Sequence, residues 1–348
     1  MASSLKELIQ QDIVKIAKLP KMNSIEISEL DSLDGYTVPL IDHDYPAGTP
    51  RMWNSAYQSL GLNIRSIMVV ANPKDIPTIF QAFKQDKKYL GGGAGSGFKD
   101  SSVEHLEELS EDAERIGSIN LIVKKEGENG SRLIGHNTDG IGYVKGLEKE
   151  FGKGIIYNKN ILILGAGGVT SSVVYHLLQK DPKSLTILNR TVSKANKIAE
   201  HMKGFFPGLK ENIKFGGEDK IGELLNRADM VINVSNKGTE GSLSKFSAFA
   251  TASKESDENV PNKDNKFKEE SEAEKNITQL SQDVIVSDIN IRDGKTTTLR
   301  VAEAYGILKT QDGLPMVLHQ AIPAFNHVHP NITSENELEK IMSEAIFN

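Results

Sequence analysis

The sequence predicts an α/β fold in two domains, and three observations carry the prediction. Short apolar strands alternate with amphipathic helices from Tyr36 to Val123, and again from Asn137 to Asp288. In the second series an apolar strand runs straight into a glycine turn and then a helix. A strongly polar stretch separates the last two strands of that series. The expected architecture is an N-terminal α/β domain and a Rossmann-type domain with a parallel sheet, with a cleft between them.

A chain of 348 residues accommodates two domains, and 38% hydrophobic against 25% charged residues allows both to bury cores. The net charge of -6 argues against nucleic acid or an anionic membrane as partner. The absence of cysteine excludes disulfides, zinc thiolate sites and a thiol nucleophile. No apolar run reaches the ~18 residues of a membrane span. The expectation is a cytoplasmic protein, monomer or homodimer, with a small-molecule substrate, no nucleic acid and no membrane.

Residues 1–34 read as an N-terminal extension that opens with a surface helix. Its Glu7 and Asp12, and its lack of arginine, argue against a transit peptide. Tyr36 to Ile41 reads as a strand, with Pro39 suggesting an edge or an end. A loop to Pro50 leads to a helix from Arg51 to about Leu60, a strand from Ser66 to Val70, and a helix from Ile76 to Lys84. Gly91 to Gly97 reads as a glycine-rich loop that ends at Phe98-Lys99-Asp100. A helix over Val103 to Ile116 and a short strand over Ser118 to Val123 close the first series.

In the second series, Gly140 to Phe151 is a helix and Lys159 to Leu164 a strand. Then come the turn Gly165-Ala166-Gly167-Gly168, a helix from Val169 to Gln179, a strand from Ser184 to Leu188 and a helix from Ser193 to Met202. Met230 to Val234 and Val284 to Asp288 are further strands. Residues 250–281 between them read as a disordered insertion, too rich in Glu, Lys, Asn and Ser to bury itself.

The glycine turn has the form of a dinucleotide site. Gly165 permits the tight turn, Gly167 clears space for a pyrophosphate, and the helix opening at Val169 offers free N–H groups. The next strand selects the cofactor. It ends at Asn189-Arg190-Thr191, with Lys194 close behind and no carboxylate to take a ribose 2′-hydroxyl. A guanidinium, a hydroxyl and an amine suit a 2′-phosphate, so the cofactor is NADP (NADPH). Asn233, at the end of a later strand, is expected to border the nicotinamide. No dense cluster of His and Asp suggests a metal. His43, His136, His319, His327 and His329 read as scattered, structural or solvated residues.

Four motifs in order resemble the shikimate/quinate dehydrogenase family. They are Ile116-Gly117-Ser118-Ile119-Asn120, Asn137-Thr138-Asp139-Gly140, the NADP motifs above, and Asp312-Gly313-Leu314-Pro315-Met316-Val317-Leu318-His319-Gln320. The resemblance implies hydride transfer between NADP and a ring carbon of a cyclic hydroxy-acid. It makes Lys99 and Asp139 the catalytic pair, places Thr49, Asn120 and Gln320 on the substrate, and adds Gly313 to the cofactor site. It implies a substrate domain of residues 35–137 plus 314–348 and an NADP domain of residues 138–313.

The sequence also departs from the family pattern. The family's SxSP loop is Ala47-Gly48-Thr49-Pro50 here, and the histidine that follows is Trp53, although Asn54 remains. The family's NVTxPxK is Gly93-Ala94-Gly95-Ser96-Gly97-Phe98-Lys99, and its YDMxY is Ser287-Asp288-Ile289-Asn290-Ile291. Losing several donors while keeping Lys99, Asp139 and Asn120 implies a dehydrogenase with an altered substrate or weak activity on shikimate. The alternative is a non-catalytic NADP-binding or regulatory protein on the same fold. A different Rossmann enzyme is a third reading.

Overall fold

A computed structural model describes residues 2–18, 25–45, 47–128, 130–238, 245–251, 271–292 and 294–347. The chain divides into two compact units, Met1–Gly142 with Val317–Asn348, and Tyr143–Met316. No helix among the described residues is long and apolar enough to cross a membrane.

The first unit starts with α1 (Leu5–Gln10), β1 (Val14–Ile16), β2 (Gly35–Thr37), β3 (Leu40–Ile41), α2 (Thr49–Ser59), β4 (Ile64–Ser66) and β5 (Val69–Ala71). It continues through α3 (Ile76–Gln85), β6 (Tyr89–Gly93), β7 (Glu108–Leu109), α4 (Glu111–Ile116), β8 (Leu121–Lys125) and β9 (Arg132–His136). Its strands form a mixed six-stranded sheet, β4-β2-β6-β8-β9-β7, and a three-stranded sheet, β1-β5-β3. The strands predicted at 36–41 and 66–70 each break in two. Val38-Pro39 and Ile67-Met68 are the breaks, and the two remain paired there through Ile67 N–H to the Thr37 carbonyl and Val69 N–H to the Pro39 carbonyl. Pro39 has no N–H to offer a ladder, so the chain leaves one sheet at that point and enters the other.

The N-terminal segment is not the surface appendage expected from its polarity. Leu5 and Leu8 are fully buried, and β1 pairs antiparallel with β5. Buried Asp86 holds the segment by accepting from Leu5 N–H at 2.8 Å and from the Tyr36 hydroxyl. The helix predicted over 103–116 is shorter. Residues 103–105 form one 3-10 turn, β7 follows, and α4 starts only where the Ser110 hydroxyl accepts from Ala113 N–H at 3.3 Å. Gly117, left-handed at φ 74°, ends it. The strand predicted at 118–123 is displaced to 121–125, and β9 is an addition.

The larger difference is at the glycines. Gly91 to Gly93 belong to strand β6, between β2 and β8, and not to a loop. A Cβ at Gly92 would overlap the Val38 backbone, and one at Gly91 would lie 2.6 Å from the Ile122 carbonyl oxygen. The glycines thus let three backbones approach.

The second unit contains β10 (Asn160–Leu164), α6 (Thr170–Leu178), β11 (Ser184–Leu188), α7 (Val192–Phe205), β12 (Ile213–Gly216) and α8 (Ile221–Leu225). After β13 (Met230–Asn233) come helix α9 at residues 271–277, β14 (Ile285–Asp288), α10 (Thr297–Ala304) and β15 (Thr310–Gln311). Helix α5 (Asp139–Phe151) begins in the first unit and α11 (Leu314–Val328) returns to it, followed by α12 (Glu335–Phe347). The six strands run parallel in the order β12-β11-β10-β13-β14-β15. Burial on both faces explains why β10 and β13 read as continuous apolar runs. The predicted insertion keeps ordered ends. Ala250, Ala273, Ile277 and Leu280 are buried in this core, and Asn276 donates to the Phe249 carbonyl at 2.7 Å. Residues 252–270 lie outside the described residues.

The histidines are less scattered than the sequence suggests. His136 and His327 stack with ring centroids 4.2 Å apart, and His329 meets the Tyr57 hydroxyl at 3.0 Å. Burial pushes His136 down to about 4, helped by His327 and Lys125 beside it, and burial alone pushes His329 down to about 4. The unfolded chain takes up these protons near the ordinary value of 6.5. Stability present above pH 6.5 is therefore lost as pH falls toward 4. Melting temperatures measured across this range should fall, and the double variant His136→Gln/His329→Gln should flatten the fall.

Candidate active site

Asn137, Thr138 and Asp139 start helix α5 through a local turn. The Asn137 side chain accepts from Asp139 N–H at 3.2 Å and donates to the Ser118 carbonyl at 2.9 Å. Gly142 then permits close packing, because a Cβ there would lie 2.5 Å from Gln320 N on α11. These contacts bring Asp139 and Gln320 to one wall of a cavity of about 120 Å³.

Lys99 reaches the same wall from the turn after β6, and its Nζ pairs with Asp139 Oδ2. The two side chains are 23% and 9% exposed, so the pair is largely shielded from water yet open to a ligand. Asn120 is the organiser behind it. Its Nδ2 donates to Asp139 Oδ1 at 2.9 Å and to Gln320 Oε1 at 3.1 Å, while its Oδ1 accepts from Thr138 N–H at 2.9 Å. Gln320 in turn donates to Thr49 Oγ1 at 3.3 Å. The structure therefore gathers Thr49, Lys99, Asn120, Asp139 and Gln320, five residues from five distant segments, on one cavity. The Asn120 amide is engaged by the protein, so it fixes the orientation of Asp139 and Gln320.

Two neighbours explain themselves differently. Trp53 lines the cavity and donates from Nε1 to the Ala321 carbonyl at 3.2 Å. Asn54 points elsewhere: it braces the β4 end by exchanging hydrogen bonds with the Ser66 backbone. The sequence reading missed Tyr45, which lines the cavity from the polar 42–50 loop. A lone aromatic residue in such a loop was the available signal. Burial raises its phenol above the ordinary range, against the opposing pull of Lys99 and the Ser96 amide. Pro39, Leu40, Ile41, Ala47, Met68, Leu121 and Ala324 make the remaining lining mostly apolar, as in ordinary small-molecule sites.

In the second unit the dinucleotide motif forms a strand–turn–helix. Gly165 stands at φ 120°, and a Cβ would lie 2.7 Å from Ser235 N, so no other residue fits. Gly167 and Gly168 are exposed with room above them, in front of the α6 N-terminus that follows Val169. Asn189 accepts from Ala166 N–H at 3.1 Å and donates to the Thr191 carbonyl at 2.9 Å, tying the turn to the end of β11. Arg190, Thr191 and Lys194 are exposed at that strand end. This is the edge where the strand order reverses between β10 and β13, and ligands of parallel sheets bind there. The cradle, the open glycines and the basic strand end fit a dinucleotide with a 2′-phosphate.

Asn233 and Gly313 serve the backbone of this edge. Asn233 is 1% exposed and binds the Ser235 N–H and the Lys237 carbonyl, so its side chain shapes the 234–238 turn rather than facing a ligand. A Cβ at Gly313 would overlap the Ile289 carbonyl. Buried Lys237 locks the same turn, with Nζ 3.0 Å from Glu218 and 2.6 Å from the Ala250 carbonyl. Among the described residues no cluster of three or more His, Asp or Glu could hold a metal.

Comparison with known proteins follows the same division. A family described as "Shikimate / quinate 5-dehydrogenase" matches residues 147–259, and the "Shikimate dehydrogenase substrate binding domain" matches residues 46–122. A relative from Alkaliphilus oremlandii (strain OhILAs), named "Shikimate dehydrogenase (NADP(+))", is 33% identical over 80% of this chain and 85% of its own length. A solved shikimate dehydrogenase in complex with NADP+ superposes with a TM-score of 0.73 at 24% identity, over 94% of this chain and 99% of its own. One from Thermus thermophilus, in complex with NADP(H) and shikimate, gives a TM-score of 0.65 at 23% identity over 89% and 99%. These two likenesses bear on the fold.

Proposed function

The chain belongs to the shikimate/quinate dehydrogenase family, and on that footing we propose that it is an NADP-dependent dehydrogenase acting on the CH–OH group of a cyclic hydroxy-acid. Its relatives' names point to shikimate, and the family's to shikimate or quinate. The observation that carries the reading is the Lys99–Asp139 pair on a cavity wall, braced by Asn120. A protein that only bound NADP would have no use for a shielded Lys–Asp ion pair on a cavity wall.

In this reading the first unit holds the substrate, through Thr49 and Gln320. The second holds NADP, through the 165–169 turn, Asn189, Arg190, Thr191 and Lys194. The chemistry that NADP would supply when held there is hydride transfer to or from the ring carbon. In the reducing direction Lys99 gives a proton from Nζ to the carbonyl oxygen, and in oxidation it takes the hydroxyl proton back. Asp139 holds the amine in place through the ion pair. The apolar lining keeps water from competing for that oxygen.

Mixing the full chain with NADP and shikimate or quinate should produce reduced nicotinamide absorbance; no reduction with either acid at high enzyme concentration overturns the reading. Cofactor choice is tested separately. Arg190→Ala should weaken NADP binding about 10- to 100-fold, as for loss of a charge-assisted contact, with NAD binding nearly unchanged by calorimetry.

A further inference from the structure

Of the side chains on the substrate cavity, the reaction as described leaves Tyr45 without a part. Its hydroxyl lies over Gly95, where a Cβ would come within 2.7 Å of Tyr45 Oη and 2.8 Å of Ile41 Cγ2. Gly95 has no positive φ, so space and not backbone conformation excludes a side chain there. The family motif carries a threonine at this place. The absence of a side chain at residue 95 is what makes room for the Tyr45 hydroxyl there.

The loop that carries Tyr45 is fastened for the purpose. Asp42 N–H donates to the Ser96 carbonyl at 3.1 Å, and the Asp42 carboxylate takes the Ser96 and His43 side chains. The His43 and Tyr45 rings pack with centroids 5.7 Å apart. The Ser96 amide faces the Tyr45 oxygen, which leaves the phenol O–H to donate. Lys99 follows four residues after Gly95 in the same turn and acts on Tyr45 electrostatically.

We infer that Tyr45 is a specificity residue whose hydroxyl donates to the substrate hydroxyl next to the one that Lys99 serves. The inference rests on the dehydrogenase reading above. It makes a vicinal diol part of what the site recognises.

The test is steady-state kinetics of the full chain with NADP, using shikimate and a shikimate analogue deoxygenated at the carbon next to the oxidised one. Tyr45→Phe should lower kcat/KM for shikimate about 10- to 100-fold, because a site built to bond a hydroxyl discriminates strongly. It should change kcat/KM for the analogue less than about threefold, with NADP affinity and melting temperature unaltered. Gly95→Ala should reproduce the shikimate loss with the phenol still present, by displacing it. Equal losses on both acids, or no loss on shikimate, overturn the inference. Should the wild type turn over neither acid, it is the reaction that falls, and shikimate affinity by calorimetry, wild type against Tyr45→Phe, still decides on Tyr45.

Discussion

Lys99→Met is expected to lower kcat about 10²- to 10⁴-fold, the range for loss of a positioned proton donor, while NADP affinity stays at the wild-type value. The separation is expected because Lys99 sits on the cavity of the first unit, and the dinucleotide motif belongs to another sheet. The variant should fold, since Asn120 still bonds Asp139 Oδ1 at 2.9 Å. Asp139→Asn gives the complementary signature. Removing the carboxylate takes away the partner that positions Lys99 Nζ, so kcat should fall about 10- to 100-fold with NADP affinity unchanged. Stopped-flow or steady-state profiles of the two variants would check both statements. An unchanged kcat in Lys99→Met would remove the lysine from the chemistry.

Gly92→Ala is expected to have the largest effect on stability. The added Cβ would meet backbone atoms of Val38, which cannot rotate away, inside a sheet hydrogen-bonded on both sides. Overpacking of this kind costs about 3 kcal/mol, and more where the neighbour is backbone. The variant should show a lowered urea midpoint or be recovered unfolded. Gly93→Ala is the control, since its nearest neighbours would be at 3.7 Å, an ordinary contact. It should stay within about 1 kcal/mol of the wild type, the usual glycine-to-alanine range.

How much of this was legible in the sequence depends on how local each feature is. The cofactor cradle is local: strand, glycine turn, helix and the next strand end fall within one stretch, and each element lies within a few residues of its expected place. The cavity of the first unit draws on Thr49, Lys99, Asn120, Asp139 and Gln320, which spacing alone cannot bring together. Only the likeness to a family did so. Composition misled at Gly91 to Gly93, because glycine enrichment usually marks a loop, whereas here it answers the approach of Val38 and Ile122. It misled at residues 1–17 as well, where Leu5, Leu8 and Val14 are buried and Ile9, Ile13 and Ile16 pack on the core although polar residues surround them. The over-long helix at 103–116 hid a capping serine, Ser110, followed by Glu111 and Asp112 in the first turn.

The three glycines of β6 also set how this site can diversify. Gly91 and Gly92 are closed to mutation by the neighbouring backbones, whatever the selection applied. Gly93 is open, lines the cavity, and would aim any new side chain at the space beside Asn120 and Pro39. A small side chain at residue 93 is therefore expected to leave the protein folded while taking up part of the cavity, a change of its shape that residues 91 and 92 do not permit.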